Sequence, residues 1–513
     1  MEELSLLIIA FVPFLPLVFV ATSFILLKVS PGKITAFTQL VFGLTWLSAL
    51  IVFGIVLFKG SLNYSLLTVD FNSSRVHVFG FLADRLSTVM LLLVITVSGI
   101  VHLYSIRSMQ EERHFKRYFT LLTLVTLEVL LVVLANNLLM LGIFWILKGI
   151  TLTFLLAHYQ DRTASWQAAF TKLKVDIVGD TAFLIALFLV WKVFGTFDIA
   201  TINNVARQSP QNLPGDQLTL LTVMFLIAAM AKSAQFPLHR WLPGSVEAPT
   251  PVSALMHAGL INAGGFLFIR LSALFTATPF TMGLAIVVGA FTAFYGTLVM
   301  LTRNDVKGML VYSTMGQMGF MILECGLGAF GLAILHLVAH GLFKATLFLN
   351  SGNVIQQKSR NLLIAPVKAH SYERFSALRF ISASLLAAFL LFTLPGAFGF
   401  SINTAAILLV FVWFTIVYAV PEVTQLSSII LFPGIAGLVT LYLLVIHTIE
   451  EFFAPVIAPA PALNLQLLLI ICGALILPGM GLIVVRQSGK APVWAQRFIR
   501  NLYVRTMLTG YGK

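Results

Sequence analysis

The sequence predicts an all-α fold, a polytopic membrane helix bundle, on three observations. Of 513 residues, 59% are hydrophobic and only 10% are charged, which is far more apolar surface than a soluble core could bury. Mean hydropathy is +0.97. Near-continuous apolar segments recur along the whole chain, each long enough to cross roughly 30 Å of hydrocarbon as a helix, about 14–15 in all.

Taken in order, the first apolar segment, Leu4 to Leu27, lacks the basic leader and small-residue cleavage site of a signal peptide, so it is expected to remain as a membrane helix. The loop from Lys59 to Asp84 holds two alternating stretches, Thr68 to Asn72 and Arg75 to Val78, which can pair as a small hairpin across Ser73 and Ser74. Helices then follow one another with short connections. Two of them are predicted to be broken, one near 232–237, where Lys232 is followed by Ser-Ala-Gln-Phe-Pro, and one near 344–353, where Lys344 precedes Asn350-Ser-Gly-Asn. Interrupted helices in corresponding halves of a chain mark an inverted-repeat transporter plan with a midplane site. Residues 1–486 form the transmembrane domain on this reading. Residues 487–513, with Trp494, Phe498, Tyr503 and Tyr511 among basic residues, form a cytoplasmic tail suited to headgroups or to a partner.

The formal net charge is +13, but the bases are scattered through short loops, which argues against nucleic acid and for the lipid bilayer as the surface they face. With the N-terminus outside, most of the Lys and Arg residues fall on the inner side: Lys28, Lys33, Arg107 to Arg117, Arg303, Lys307, Lys358 to Arg379 and the tail from Arg486. Asp70, Asp198, Glu450 and Glu451 then lie outside, the C-terminus is cytoplasmic, and the positive-inside rule is met. Cys325 and Cys472 sit in separate apolar segments, with neither metal spacing nor a disulfide framework. No metal site and no cofactor is expected.

Polar residues inside the apolar segments carry the chemistry. A lysine at the centre of a membrane helix costs about 2.5–3.5 kcal/mol on insertion scales, so Lys232 beside a proline break is expected to face a hydrated, protein-lined interior. His336, His340 and Lys344 recur at four-residue spacing on one helix face over roughly 12 Å, a spacing that suits proton relay through imidazole, a buried amine and bridging water. His257, on the helix after Lys232, is a further station. Asp176 and Asp180 share a face of the segment before, and Asp180 is the better placed to modulate Lys232 by charge. Lys148 is able to pair with Asp176, which would make that pair structural. Glu128 and Glu324 are single acids in apolar helices, each a candidate for the pathway or for helix pairing.

The run Ala231 to Pro243 with Ala248 to Ala258, Asp305-Val-Lys307 with Tyr312 to Gly319, and His340 to Leu349 resemble the signature of the antiporter-like subunits of respiratory complex I, the subunit 5 and Mrp-like family, from about Asp84 to Gly399. The resemblance implies that Lys232 is the central lysine and Asp180 the aspartate that tunes it, with His257, His336, His340 and Lys344 at relay positions. The chain also departs from that pattern. Ile146 stands where the family usually has a glutamate after Phe144-Trp145, and Ile402 and Asn403 stand where it has a lysine and an acid. A long lateral helix like that of distal complex I subunits is not expected after the last apolar segment.

These departures make it most similar to the branch that serves DAB-type inorganic carbon uptake. The resemblance then implies a bacterial inner-membrane, cation-conducting subunit, most simply for protons. Its partner would be a large cytoplasmic, zinc-dependent, carbonic-anhydrase-like subunit (DabA-like), which would hold the zinc and any catalysis. The other readings are a subunit of a sodium/proton antiporter or of a respiratory or hydrogenase pump, and a non-conducting membrane anchor.

Overall fold

A computed structural model describes residues 2–26, 31–71, 74–303, 305–351 and 428–459. Helices α1 (Glu2–Leu26) and α2 (Pro31–Lys59) lead into a hairpin of β1 (Leu62–Phe71) and β2 (Ser74–Ala83). There follow α3 (Arg85–Met109), α4 (Phe115–Leu134), α5 (Leu138–Leu156), α6 (Thr163–Phe194), the short α7 (Ile199–Gln208), α8 (Gly215–Lys232) and α9 (Trp241–Gly244). The chain continues through α10 (Thr250–Ala258), α11 (Ala263–Arg270), α12 (Ser272–Thr276), α13 (Pro279–Leu301), α14 (Val306–Gly326), α15 (Phe330–Ser351) and, later, α16 (Ser428–Phe453). Among the described residues, nine helical segments are long and apolar enough to cross a membrane, with α10 and α11 counted as one span. The protein is a multi-pass, all-α membrane bundle.

The hairpin is longer than the alternating stretches predict. It pairs Leu62 with Ala83 at one end and Phe71 with Ser74 at the other, with Thr68 opposite His77 and Asp70 opposite Arg75, so Ser74 is paired and not part of the turn that the sequence predicts. The extension follows from the apolar and aromatic residues Tyr64, Phe79 and Phe81, whose side chains pack against the bundle. At this end Asp84 caps α3 by accepting from the Ser87 amide at 2.7 Å, and Asn137 caps α5 by accepting from Met140 at 2.8 Å. Such caps satisfy helix-terminal donors where water is scarce.

Polarity is arranged inside out relative to a soluble helix. On α6, Phe170, Ile177, Leu184 and Phe188 are exposed, whereas Lys172 and Asp176 are buried on the opposite face. Apolar side chains can face lipid at no cost, so the few charges turn inward to one another.

The predicted break near 232–237 is present, and it has a counterpart in the next span. Helix α8 ends at Lys232, and Ala234 takes a left-handed conformation (φ 48°), which costs a non-glycine residue about 1–2 kcal/mol. The Trp241 indole donates to the carbonyl of Ala231 at 3.0 Å. Between α10 and α11 the helix breaks again at 259–262. There the Ser233 hydroxyl donates to the Ile261 carbonyl at 2.6 Å and accepts from the Gly264 amide at 3.1 Å, so the first break satisfies backbone groups freed by the second, as a membrane interior requires. Helix α15 is unbroken from Phe330 through Lys344 to Ser351. Residues 352 and 353, which completed the second predicted break, lie outside the described residues. So do Lys358 to Arg379, Ile402, Asn403, Cys472 and the 487–513 tail.

Candidate ion-translocation site

Helix α6 carries Lys172, Asp176 and Asp180 one turn apart, so all three lie on one face. That face meets the end of α8. The Lys232 ammonium lies 3.0 Å from Asp176 Oδ1 and 2.9 Å from Asp180 Oδ1. Lys172 pairs with the other oxygen of Asp176 and donates to the Gly149 carbonyl of α5 at 2.9 Å. The result is a row of alternating charge, Lys172, Asp176, Lys232, Asp180, in which only Asp180 exceeds a tenth exposure, at 15%. Burying four charges is costly, and alternation is what makes it tolerable, since each inner member has an opposite charge on both sides.

Close approach of α5 makes the row possible. A methyl on Gly149 would stand 2.6 Å from the Lys232 nitrogen and 3.1 Å from Asp176 Oδ2. Gly149 and Lys172 belong to the site although spacing arguments centred on Lys232 passed over them. The signal for Lys172 was present, because 172, 176 and 180 repeat the four-residue spacing read in 336, 340 and 344.

Lys148 does not pair with Asp176. Its ammonium lies over the Trp145 ring, 4.4 Å from the centroid, because one residue's rotation along α5 turns it away from the face that Gly149 presents. Glu128 of α4 accepts from the Thr151 hydroxyl at 2.8 Å. Ile146 is half-buried among apolar side chains, and among the described residues the carboxylates paired with Lys232 both come from α6.

The second cluster is built on α15. His336 lies between α14 residues, with Nδ1 3.0 Å from Glu324 Oε2 and Nε2 2.8 Å from Gln317 Oε1. The His336 and His340 rings are 6.0 Å apart, and the Lys344 ammonium donates to the Ser313 hydroxyl and, at 3.4 Å, to the Leu310 carbonyl. His257 joins this cluster. Its ring stacks on Phe348 at 4.3 Å, and its Nε2 is 3.3 Å from the Ser245 hydroxyl in the segment joining the two breaks. Among the described residues no hydrogen bond links His257 to Lys232 directly.

A third buried pair, Arg270 with Asp84, was not singled out by the sequence. Arg270 also donates to the Ser87 hydroxyl at 2.6 Å. It joins the end of α11 to the start of α3 beside the hairpin. His102 of α3 is held by the Ser98 carbonyl at 2.7 Å and Thr123 at 3.1 Å within a ring of phenylalanines, the arrangement of a satisfied packing residue.

The sequence resemblance implies Lys232 as a central lysine, Asp180 as the aspartate that tunes it, and a histidine stripe on a later helix; Lys232 and Asp180 are 2.9 Å apart here. The family model described as NADH:quinone oxidoreductase/Mrp antiporter, TM, matches residues 135–427, which includes the lysine, both aspartates and the whole stripe. The chain belongs to this antiporter family. A second model, for the N-terminus of chain 5 of NADH-ubiquinone oxidoreductase (complex I), matches residues 71–119.

Among curated relatives, the probable inorganic carbon transporter subunit DabB1 of Halothiobacillus neapolitanus is 46% identical over 298 residues, covering 57% of this chain and 53% of that protein. NADH-ubiquinone oxidoreductase chain 5 of Metridium senile is 36% identical over 318 residues, covering 62% of this chain and 52% of that protein. The chain thus spans about half the length of the curated relatives it matches. A solved Mrp complex from a Dietzia species matches with a TM-score of 0.61 at 21% identity, over 98% of this chain and 56% of that one, which is a likeness of fold.

Proposed function

We propose that this antiporter-family chain is the proton-conducting membrane subunit of an energy-coupled inorganic carbon uptake complex in a bacterial inner membrane. The observation that carries ion conduction is the row Lys172, Asp176, Lys232, Asp180. Lys232 stands between two carboxylates at 2.9–3.0 Å, so passing its proton to Asp180 leaves two neutral groups beside the Lys172–Asp176 pair and no lone charge. Lys148 and Glu128 flank this half of the path. His257, His340, His336 and Lys344 continue it on α15, with Glu324 beside them. A purely anchoring subunit has no use for so many costly buried groups.

The carbon substrate is supported by the DabB1 relative, whose name describes an inorganic carbon transporter subunit. On this reading a cytoplasmic, zinc-dependent, carbonic-anhydrase-like partner carries out the hydration of CO2. Each proton descending the membrane potential supplies about 2.3 kcal/mol per 100 mV to bias that step. The N-terminus lies outside and the C-terminus in the cytoplasm, which leaves the basic loops facing the partner.

The test is purification from the native membrane together with bound subunits. A co-purifying zinc-containing subunit, and bicarbonate accumulation that collapses with the membrane potential, are expected. Co-purification of further antiporter-like subunits without zinc would refute carbon uptake in favour of an Mrp-type or redox-linked complex.

A further inference from the structure

We propose that Glu324 is the hairpin-side entry station of the α15 relay, and that protons descending the membrane potential enter the bundle through its carboxyl group. The proposal deepens the function given above and rests on proton conduction by this chain.

Glu324 lies two residues before α14 ends at Gly326, about 3 Å along the axis from the helix terminus. That terminus is on the hairpin side. Arg85, which directly follows the hairpin and its capping Asp84, donates to the Phe452 carbonyl of α16 at 2.5 Å. Two residues earlier, Glu450 packs so closely on Gly331, at the start of α15, that a methyl there would meet its Cγ at 2.8 Å. His336 is six residues into α15 and Lys344 eight further, roughly 12 Å deeper. The stripe therefore rises from Lys344 toward the surface and meets Glu324 near its top.

Two features of this carboxyl are those of a proton carrier and not of a helix clasp. The side chain is wholly buried, yet Oε1 has no hydrogen-bond partner among the described residues, while Oε2 is 3.0 Å from His336 Nδ1. A group retained for packing would have both oxygens satisfied or would be apolar, since an unpartnered buried oxygen is a net cost. In addition, Gln317 holds His336 at its other nitrogen, 2.8 Å away. With Gln317 Oε1 accepting, as its placement indicates, Nε2 carries a hydrogen, and the remaining proton of an imidazolium sits on Nδ1, facing Glu324.

A proton delivered by water from the hairpin side forms an O–H bond at the unpartnered Oε1, and rotation of the carboxyl turns that O–H toward His336. In the transfer the O–H bond breaks, its electron pair stays on the carboxylate, and an N–H bond forms at Nδ1. Carboxylic acid and imidazole become carboxylate and imidazolium, which stand as a pair, so the step leaves no lone buried charge. His336 then passes its proton on to His340, whose ring is 6.0 Å away, a gap that one water spans.

The experiment uses the whole complex in sealed vesicles of native lipid, with proton flux driven by an imposed potential and read by a trapped pH dye. It compares Glu324→Gln, Glu324→Asp and, as the control for conduction itself, Lys232→Ala. Glu324→Gln keeps the shape and a polar partner for His336 but cannot carry a proton, so flux falls about a hundredfold, whereas Glu324→Asp stays within about tenfold of the native protein. Native flux in Glu324→Gln alongside an inactive Lys232→Ala overturns the role of Glu324 and leaves proton conduction standing. Native flux in Lys232→Ala overturns conduction through that lysine instead. Should Glu324→Gln fail to reach the membrane, infrared difference spectra of the native protein and Glu324→Asp decide. A protonated-carboxyl band that appears on energisation and moves in Glu324→Asp supports the assignment, and no such band overturns it.

Discussion

Gly149→Ala tests whether conduction depends on the geometry of the charge row, because it changes no charge. The added methyl would stand 2.6 Å from the Lys232 nitrogen, so the ammonium must retreat by about 0.8 Å to reach ordinary contact near 3.4 Å. Such a retreat stretches the Lys232 to Asp176 pair from 3.0 Å to about 3.8 Å, and at an effective dielectric of 20 the attraction drops by about 1 kcal/mol. Weakening of the charge-assisted hydrogen bond adds about 1–2 kcal/mol. Alanine returns about 1 kcal/mol through helix propensity, so folding stability should fall by only about 1–2 kcal/mol. Placed on the barrier for proton transfer, a misfit of about 2–3 kcal/mol slows flux about 30- to 160-fold. Potential-driven flux in vesicles and thermal unfolding in detergent read the two effects separately. Gly54→Ala on α2, where an added methyl meets nothing within 4 Å, is the matched control and should leave flux unchanged. A Gly149→Ala protein with native flux and the slightly raised stability of Gly54→Ala would refute the reasoning.

Lys232→Ala or Asp180→Ala should abolish bicarbonate accumulation while membrane insertion and partner binding persist; accumulation at the native rate in either variant counts against the proposed path. Asp176→Asn leaves two buried ammonium groups short of a carboxylate and should destabilise the fold by about 3–5 kcal/mol. Adding Lys172→Met should recover part of that loss, and a double-mutant cycle with no coupling would argue that the two do not share the charge. Arg270→Met leaves Asp84 unpaired beside the hairpin and should cost a similar 3–5 kcal/mol. Flux per folded molecule should stay native, so a selective loss of flux would move that pair from scaffold to pathway.

Much of the site could be read from the chain because membranes make buried charge rare. Lys232, Asp176, Asp180 and the stripe from His336 to Lys344 stand out in apolar segments by that rule alone, and the proline after Lys232 announces the first break. The break at 259–262 was not announced in that way. Gly259 and Asn262 are unremarkable in sequence, and the helix opens there because Ser233, supplied by the other break, takes up the freed backbone groups.

By itself, the sequence determined that this protein is a helical membrane bundle, where its costly side chains sit, and which share a helix face, since hydrocarbon thickness and the helical repeat act on the chain locally. Partnership was left to the tertiary structure. Lys148 and Gly149 are neighbours in the chain, yet the turn of α5 sends one ammonium onto Trp145 and opens space for another from α8. His257 follows Lys232 in sequence but packs with Phe348 of α15. Periodicity ranks residues around one helix, whereas pairing depends on how two helices are rotated and spaced against each other. That is set by packing between segments far apart in the chain.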